Sequence, residues 1–435
     1  MFPAQERRHR VSWRTVRTGW FCLFGCVVAS VGVAGEFAGW TRFRGPNGAG
    51  QADSPNIPIR WTAADYRWRV ALPGIGYSSP VVGADRLFVT SADPQTAGQT
   101  LWCLRIADGS IAWQHEVDSK PHPKHRFNCY ASSTPALDDS QVYFCAWTAE
   151  GIRLLALRQS DGQPVWQRSL GPFVGEHGFG TSPMVFRDLV IVSNDQDGPS
   201  FVVALDRADG TIRWRAERRS EKAGYATPCL WQPPSGRPQL ILSSWAHGVT
   251  GLDAQTGRLL WELPVFQNRV VASPFVAGDL VFASAGVGGV GREMYAIRPG
   301  HPDQGVEARV AYALDGPLPY VPTPVAKGNL LFLWQDRGVV SCLDAPSGKV
   351  LWRQRVGGEF FSSPIRVGDR LYNISRDGQM VVLAAAEKYE LLARFPLGEP
   401  THSTPAVAGD CLYLRTVSHV MALAEKKAAQ SEKKP

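Results

Sequence analysis

Residues 322–356 read PTPVAKGNLLFLWQDRGVVSCLDAPSGKVLWRQRV, and the fold turns on this stretch. Thr323 and Pro324 lead into a short apolar strand, which residues 327–329 turn back into a second strand over residues 330–334. Residues 335–338 loop into a third strand over 339–343, and residues 344–348 turn into a fourth over 350–356. Four short antiparallel strands cannot bury their own faces, so copies of this unit must stack.

The copies are present. Ser or Thr before proline opens a unit at Pro80, Pro135, Pro183, Pro228, Pro274, Pro324, Pro364 and Pro405, at spacings of 40 to 55 residues. Proline at the start of a strand is tolerated where its missing N–H faces no partner, so it marks the innermost strand of each unit. A closing signal agrees with the opening one: Gly109 and Trp113, Gly162 and Trp166, Gly210 and Trp214, Gly257 and Trp261, and Gly348 and Trp352 are each four residues apart. Glycine supplies the positive φ of a tight turn, and the tryptophan then falls on the outer strand, where it can wedge between neighbouring units. Units five and seven lack the tryptophan. Unit eight ends after three strands, and residues 66–72, with Trp68 in the signature place, must supply its fourth. The expectation is an all-β, eight-bladed β-propeller of four-stranded antiparallel blades, its ring closed by an N-terminal strand that leaves no open edge.

Composition bounds the function. The chain of 435 residues has a formal charge of +7, but the charge sits at the ends. Residues 1–34 carry five arginines against one glutamate, residues 425–435 carry four lysines against two glutamates, and the body between them is left at +1. That is no electrostatic footprint for a nucleic acid. The first segment has the form of a secretory signal, with an arginine-rich start, an apolar run over residues 19–33, and small residues at Ala34 and Gly35. The expected organisation is a signal peptide over 1–34, a glycine- and proline-rich lead segment over 35–65, the propeller over 66–424, and a basic disordered tail over 425–435. The product is an exported monomer of the periplasm or cell envelope. Two membrane alternatives stay open: an uncleaved anchor, although the run is shorter than the ~20 residues of a spanning helix, and lipidation at Cys26 of the lipobox-like Leu23-Phe24-Gly25-Cys26.

Cys103, Cys129, Cys145, Cys229, Cys342 and Cys411 follow the signal and form no CxxC pair. They read as small core residues, with a Cys129–Cys145 bridge as the other option in an oxidising compartment.

Blade geometry says where chemistry could sit. The turns joining first to second and third to fourth strands share one face, and the links between blades share the opposite face with the loops joining second to third strands. The unusual residues fall on this second, top face. His122, His125, Arg126 and Asn128 lie in the first link, Glu176 and His177 in the second, Tyr225 in the third, and His247 in a loop between strands. These are the candidate ligand-binding residues. Lys222, Asn268, Arg269, Tyr320, Glu359, His402, Asp336 and Arg337 share the face. No metal site is expected: His122 and His125 lack a metal-ligand spacing, and residues 194–197 stop short of an EF-hand pattern. Residues 286–291, GVGGVG, lack the ending of a phosphate loop.

With LDAQTGRLLW at residues 252–261 and CLDAPSGKVLW at 342–352, the chain resembles the pyrroloquinoline-quinone (PQQ)-type propeller repeats of eight-bladed quinoprotein dehydrogenases and of the non-enzymatic BamB-type proteins. RGPNG at residues 44–48 and GYSSP at 76–80 are similar to exported PQQ-like propellers of planctomycete-type bacteria. The resemblance covers residues 40–424 and carries fold, not activity. It implies a non-catalytic scaffold that uses its top-face loops to bind a protein partner of the cell envelope or another macromolecule, with no cofactor. A PQQ-dependent dehydrogenase is the alternative; it would need Ca²⁺ to polarise the quinone, an Asp base and, in many members, a vicinal disulfide. A propeller binding a saccharide or small molecule is the third reading.

Overall fold

The computed structural model describes residues 39–424 except residue 55. The signal segment, Cys26 and the basic tail lie outside the described residues. Among those described, eight antiparallel sheets follow one another along the chain. Blade six, from the inside out, is Val325–Lys327, Leu330–Trp334, Val339–Asp344 and Val350–Arg355. Blade eight takes Ala406–Ala408, Cys411–Arg415 and His419–Ala424 from the C-terminal end, and its outermost strand is Tyr66–Ala71, with Trp68 opposite Ala422. The fold is therefore an eight-bladed β-propeller closed by its N-terminal strand.

The Ser/Thr-Pro signal has a second physical basis beside the proline. The residue before each proline donates its backbone N–H to the hydroxyl of its counterpart in the next blade. Ser79 donates to Thr134, Thr134 to Ser182, Ser182 to Thr227, Thr227 to Ser273, Ser273 to Thr323, Thr323 to Ser363, Ser363 to Thr404, and Thr404 back to Ser79, all at 2.9–3.3 Å. Eight bonds make a closed circle around the axis. Each buried N–H that has no ladder partner is thereby satisfied by the neighbouring blade.

The Gly-to-Trp signal works between blades as well. The turn glycine of one blade lies flat on the signature tryptophan of the blade before it: a Cβ on Gly162 would fall 2.5 Å from the Trp113 ring, and the turn also needs its φ of +72°. Indole N–H groups of Trp68, Trp113, Trp166 and Trp352 donate to carbonyls of the following blade, at Ile106, Gln159, Arg207 and Ala386, at 2.9–3.0 Å. Where blade five lacks the tryptophan, Tyr312 lies under Gly348 and donates to the Ala345 carbonyl. Blade seven has Ala393 in that register, and Trp61 packs edge-on against its Phe395 at 4.6 Å.

The lead segment enters the ring. Residues 40–52 curl beneath the hydroxyl circle and occupy the inner edges of the blades. The carbonyls of Trp40, Thr41, Gly50 and Ala52 accept from Val82, Leu137, Arg366 and Gly368, and Gln51–Ala52 adds a parallel strand to Ile365–Val367 of blade seven. The Asn47 side chain pairs both ways with the backbone of Leu230 in blade four, at 2.6 and 2.7 Å. The fully buried Arg44 donates to the carbonyls of Pro324 at 2.7 Å and Pro364 at 2.9 Å. Positive φ at Arg44, Gly45, Asn47, Gly48 and Gly50 produces the curl, and a Cβ on Gly45 would strike the Trp40 ring at 2.5 Å. The glycine- and proline-rich lead segment is thus a plug.

All six described cysteines are buried and no disulfide joins Cys129 to Cys145, so the core reading holds for both.

Candidate binding cup at the channel mouth

Above the hydroxyl circle the channel opens into a cup of about 820 Å³, lined by links from all eight blade junctions. All eight circle residues lie in its wall, and Phe43 of the plug projects into it from below. The axial channel is thereby a blind recess open on the top face.

Six of the eight candidate residues meet here: His125, Arg126, Asn128, Glu176, His177 and Tyr225 line the cup. His122 and His247 do not. The His122 ring lies against Tyr130 and Trp147, and its Nδ1 bonds to the Lys120 carbonyl at 2.8 Å, which makes it a strut at the base of the first link. His247 pairs with Glu262 at 2.8 Å and accepts the Arg219 N–H at 3.3 Å, outside the cup. A link residue's direction depends on the neighbouring blade, and spacing alone does not reveal it.

The first link runs over eighteen residues, 118–135, whereas the other links take eight to twelve. It reaches across the mouth. The His125 ring lies 4.4 Å from His177 of the second link, and Phe127 lies 5.4 Å from Phe361 on the far side. Arg376 stacks over both Phe127 and Phe361, at 4.3 and 4.5 Å, and donates to Glu359 at 2.6 Å. His402 completes the aromatic wall between Tyr77, at 4.1 Å, and Phe361, at 4.9 Å. Burial first, and then Arg376, pull the His402 pKa down to about 4, so the ring is neutral near pH 7.

On the opposite wall Arg269 donates to Glu176 at 3.1 Å and to His177 Nδ1 at 3.2 Å. The hydrogen bond from Arg269 is the main reason the Glu176 carboxyl titrates below the usual range, and burial followed by Arg269 lowers His177. The backbone N–H of His177 donates to the Tyr225 hydroxyl at 3.3 Å, and Asn128 Nδ2 donates to the His177 carbonyl at 2.7 Å. Asp336 lies deeper and accepts the N–H groups of Tyr320 and Val321 at 2.8 and 3.0 Å, while burial raises its carboxyl to about 6.

The sequence also placed Lys222, Asn268, Arg269, Tyr320, Asp336, Arg337, Glu359 and His402 on this face, and all of them line the cup. It missed Phe43, Phe127, Phe361, Arg376 and the hydroxyl circle. Only the circle had a visible signal, the recurrent Ser/Thr before proline. The two loops weighed for ion binding serve the protein itself: Asp195 pairs with buried Arg218 at 3.1 Å, Asp197 accepts the Ala223 N–H, and Gly286–Gly289 belong to a hairpin end rather than a helix start.

His125, Glu176 and His177 bring potential ligand atoms within 4.8 Å of one another. A calcium-held quinone would need oxygen donors, and this nitrogen-rich group is the one such cluster among the described residues. The cup's three carboxylates are already engaged by Arg269, Arg376 and backbone amides, and no cysteine lines it. The cup does not fit that group.

The architecture and its blind cup define a propeller of the PQQ-repeat class. The chain belongs to the family described as outer membrane protein assembly factor BamB, whose matches span residues 61–177, 131–318 and 306–427. BamB of Escherichia coli K12 is 25% identical over 265 residues, covering 59% of this chain and 64% of that protein. A polyvinylalcohol dehydrogenase of a Pseudomonas species is 23% identical over 291 residues, covering 56% of this chain and 43% of that enzyme. The chain thus spans less than two thirds of either relative. Among solved structures, BamB from Moraxella catarrhalis superposes with a TM-score of 0.60 at 17% identity, over 83% of this chain and 97% of that one. A europium-containing methanol dehydrogenase superposes with a TM-score of 0.67 at 12% identity, over 89% and 98%. At these identities the structures attest the fold alone.

Proposed function

We propose that the chain is an exported, non-catalytic propeller that binds a protein partner of the cell envelope through its top face, as a scaffold of the BamB type. The observation that carries this reading is the state of the cup's carboxylates. Glu176 and Glu359 are each paired with an arginine and Asp336 accepts two backbone N–H groups, so all three carboxylates already serve the structure of the cup. Membership of the BamB-type family supports the same conclusion. Export rests on the signal-like residues 1–34 and agrees with that family.

The polyvinylalcohol dehydrogenase relative keeps a second reading in view, a quinoprotein dehydrogenase. Two measurements separate them. With a photo-crosslinking residue at position 126, on the cup, one envelope protein should be trapped in cells, and with the same residue at Lys388, on the opposite face, it should not. Equal trapping at both positions would remove the top-face reading. Purified protein given PQQ and Ca²⁺ should show neither bound-quinone absorbance nor alcohol-dependent dye reduction; either signal would favour the enzyme.

A further inference from the structure

The cup is rich in hydrogen-bond donors and poor in acceptors, and this asymmetry specifies what can fill it. His125 Nδ1 accepts the Phe127 N–H at 3.2 Å, and His177 Nδ1 accepts from Arg269 at 3.2 Å. In a neutral imidazole whose Nδ1 is an acceptor, Nε2 carries the proton. Both rings therefore present N–H groups, not lone pairs, as their remaining function. A divalent cation seeks the reverse, and Glu176, the third member of the cluster, already holds Arg269. The cluster is built to meet an acceptor rather than a metal.

The rest of the wall agrees. The Tyr225 hydroxyl accepts from His177 and keeps its own proton to donate. Each of the eight circle hydroxyls likewise accepts a backbone N–H and retains an O–H. Five cations line the cup, Arg126, Lys222, Arg269, Arg337 and Arg376, against three carboxylates. Arg269 and Arg376 are paired with Glu176 and Glu359, while no carboxylate among the described residues pairs with Arg126, Lys222 or Arg337. A recess with low-dielectric walls concentrates the field of such unmatched charges. Phe43 and the plug close the bottom, so a chain cannot thread through; only an end or a tight tip can enter.

We propose that the cup receives a carboxylate-rich chain end or loop tip of the partner protein, anchored by Arg126 and Lys222 at the mouth and by the His125 and His177 N–H donors on the wall. This rests on the partner-binding reading of the same face and names the chemistry of what is bound. Affinity should fall with added salt, because the anchoring charges lie near solvent.

The test is calorimetric titration of the full chain with a tetraglutamate peptide, a tetraglutamine peptide and citrate. The expected result is binding of tetraglutamate and not of tetraglutamine. Its dissociation constant should rise about tenfold or more in Arg126→Ala/Lys222→Ala, the loss of roughly 1.4 kcal/mol or more, and stay unchanged in Lys388→Ala on the opposite face. Equal binding of the two peptides, no binding of either, or an unaffected double variant would overturn the proposal. So would citrate binding without peptide binding, which would make the cup a site for free small acids. Crosslinking at position 126 without tetraglutamate binding would leave the scaffold standing and remove only the acidic end.

Discussion

In blade six the two signature residues serve the packing of blade on blade: Gly348 lies against Tyr312 of the blade before, and Trp352 reaches to the Ala386 carbonyl of the blade after. The link between blades one and two keeps one such duty, at Thr134, and adds others. Its eighteen residues bring His125 to His177 of the next link and Phe127 to Phe361, far away in the chain. The first pattern recurs because every junction poses the same packing problem. The second occurs once, because a site needs different groups at different points of the mouth. Stability should therefore concentrate in the repeated elements and recognition in the unrepeated ones, and substitutions can break that division.

Trp68→Ala should have the largest effect. Trp68 is buried, touches Gly109 and Tyr413, and donates to Ile106 across the seam where the chain's two ends meet. Removing a buried tryptophan costs about 3–5 kcal/mol, and guanidinium denaturation should report a loss of that size. A loss near that of an exposed site would mean that the seam does not hold the ring. Next comes the plug: Arg44→Met removes donors from the carbonyls of Pro324 and Pro364 inside the ring, for about 2–3 kcal/mol by the same assay.

A pH effect of about 2 kcal/mol separates two groups of the cup. His402 has a folded pKa of about 4, below its unfolded value, so its contribution is present above about 6.5 and is lost as pH falls toward 4. Asp336 is the reverse: its carboxyl is raised to about 6 in the fold, so its contribution is present below the unfolded value and lost as pH rises through 6. His402→Phe should therefore flatten the fall in stability between pH 7 and pH 5, and Asp336→Asn should steepen it. Identical pH curves for wild type and His402→Phe would show that this ring does not sit dry in the aromatic wall.

These effects also mark what could be read in advance. The blade count, the strand order and the closing strand were legible because eight openings and five Gly-to-Trp turns repeat one local chemistry. The plug was not, since residues 40–52 satisfy edges made by other parts of the chain and carry no period of their own. In the cup, polar link residues were visible as exceptions, but the Phe127, Arg376 and Phe361 stack joins three distant segments, and each residue alone looks ordinary. His122 and His247 were equally conspicuous and lie elsewhere, held by Lys120 and Glu262.

The hydroxyl circle lies between the two regimes, repeated like the blades and yet part of the cup wall. Thr227→Val keeps the shape of the side chain and leaves the Ser182 N–H without its acceptor, at a cost of about 1–2 kcal/mol. Ser182→Ala does the same to the Thr134 N–H. If the circle acts as a unit, the second cut should cost less than the first, because a chain of polarising bonds already broken has less cooperative strength to lose. Additive costs would make it eight separate staples. Arg126→Ala completes the comparison at the low end: it should change stability by no more than about 0.5 kcal/mol, as for an exposed residue outside the packing, while weakening tetraglutamate binding. A large loss of stability there would tie the first link to the fold, and the division between repeated and unrepeated elements would fail at the point where it matters most for binding.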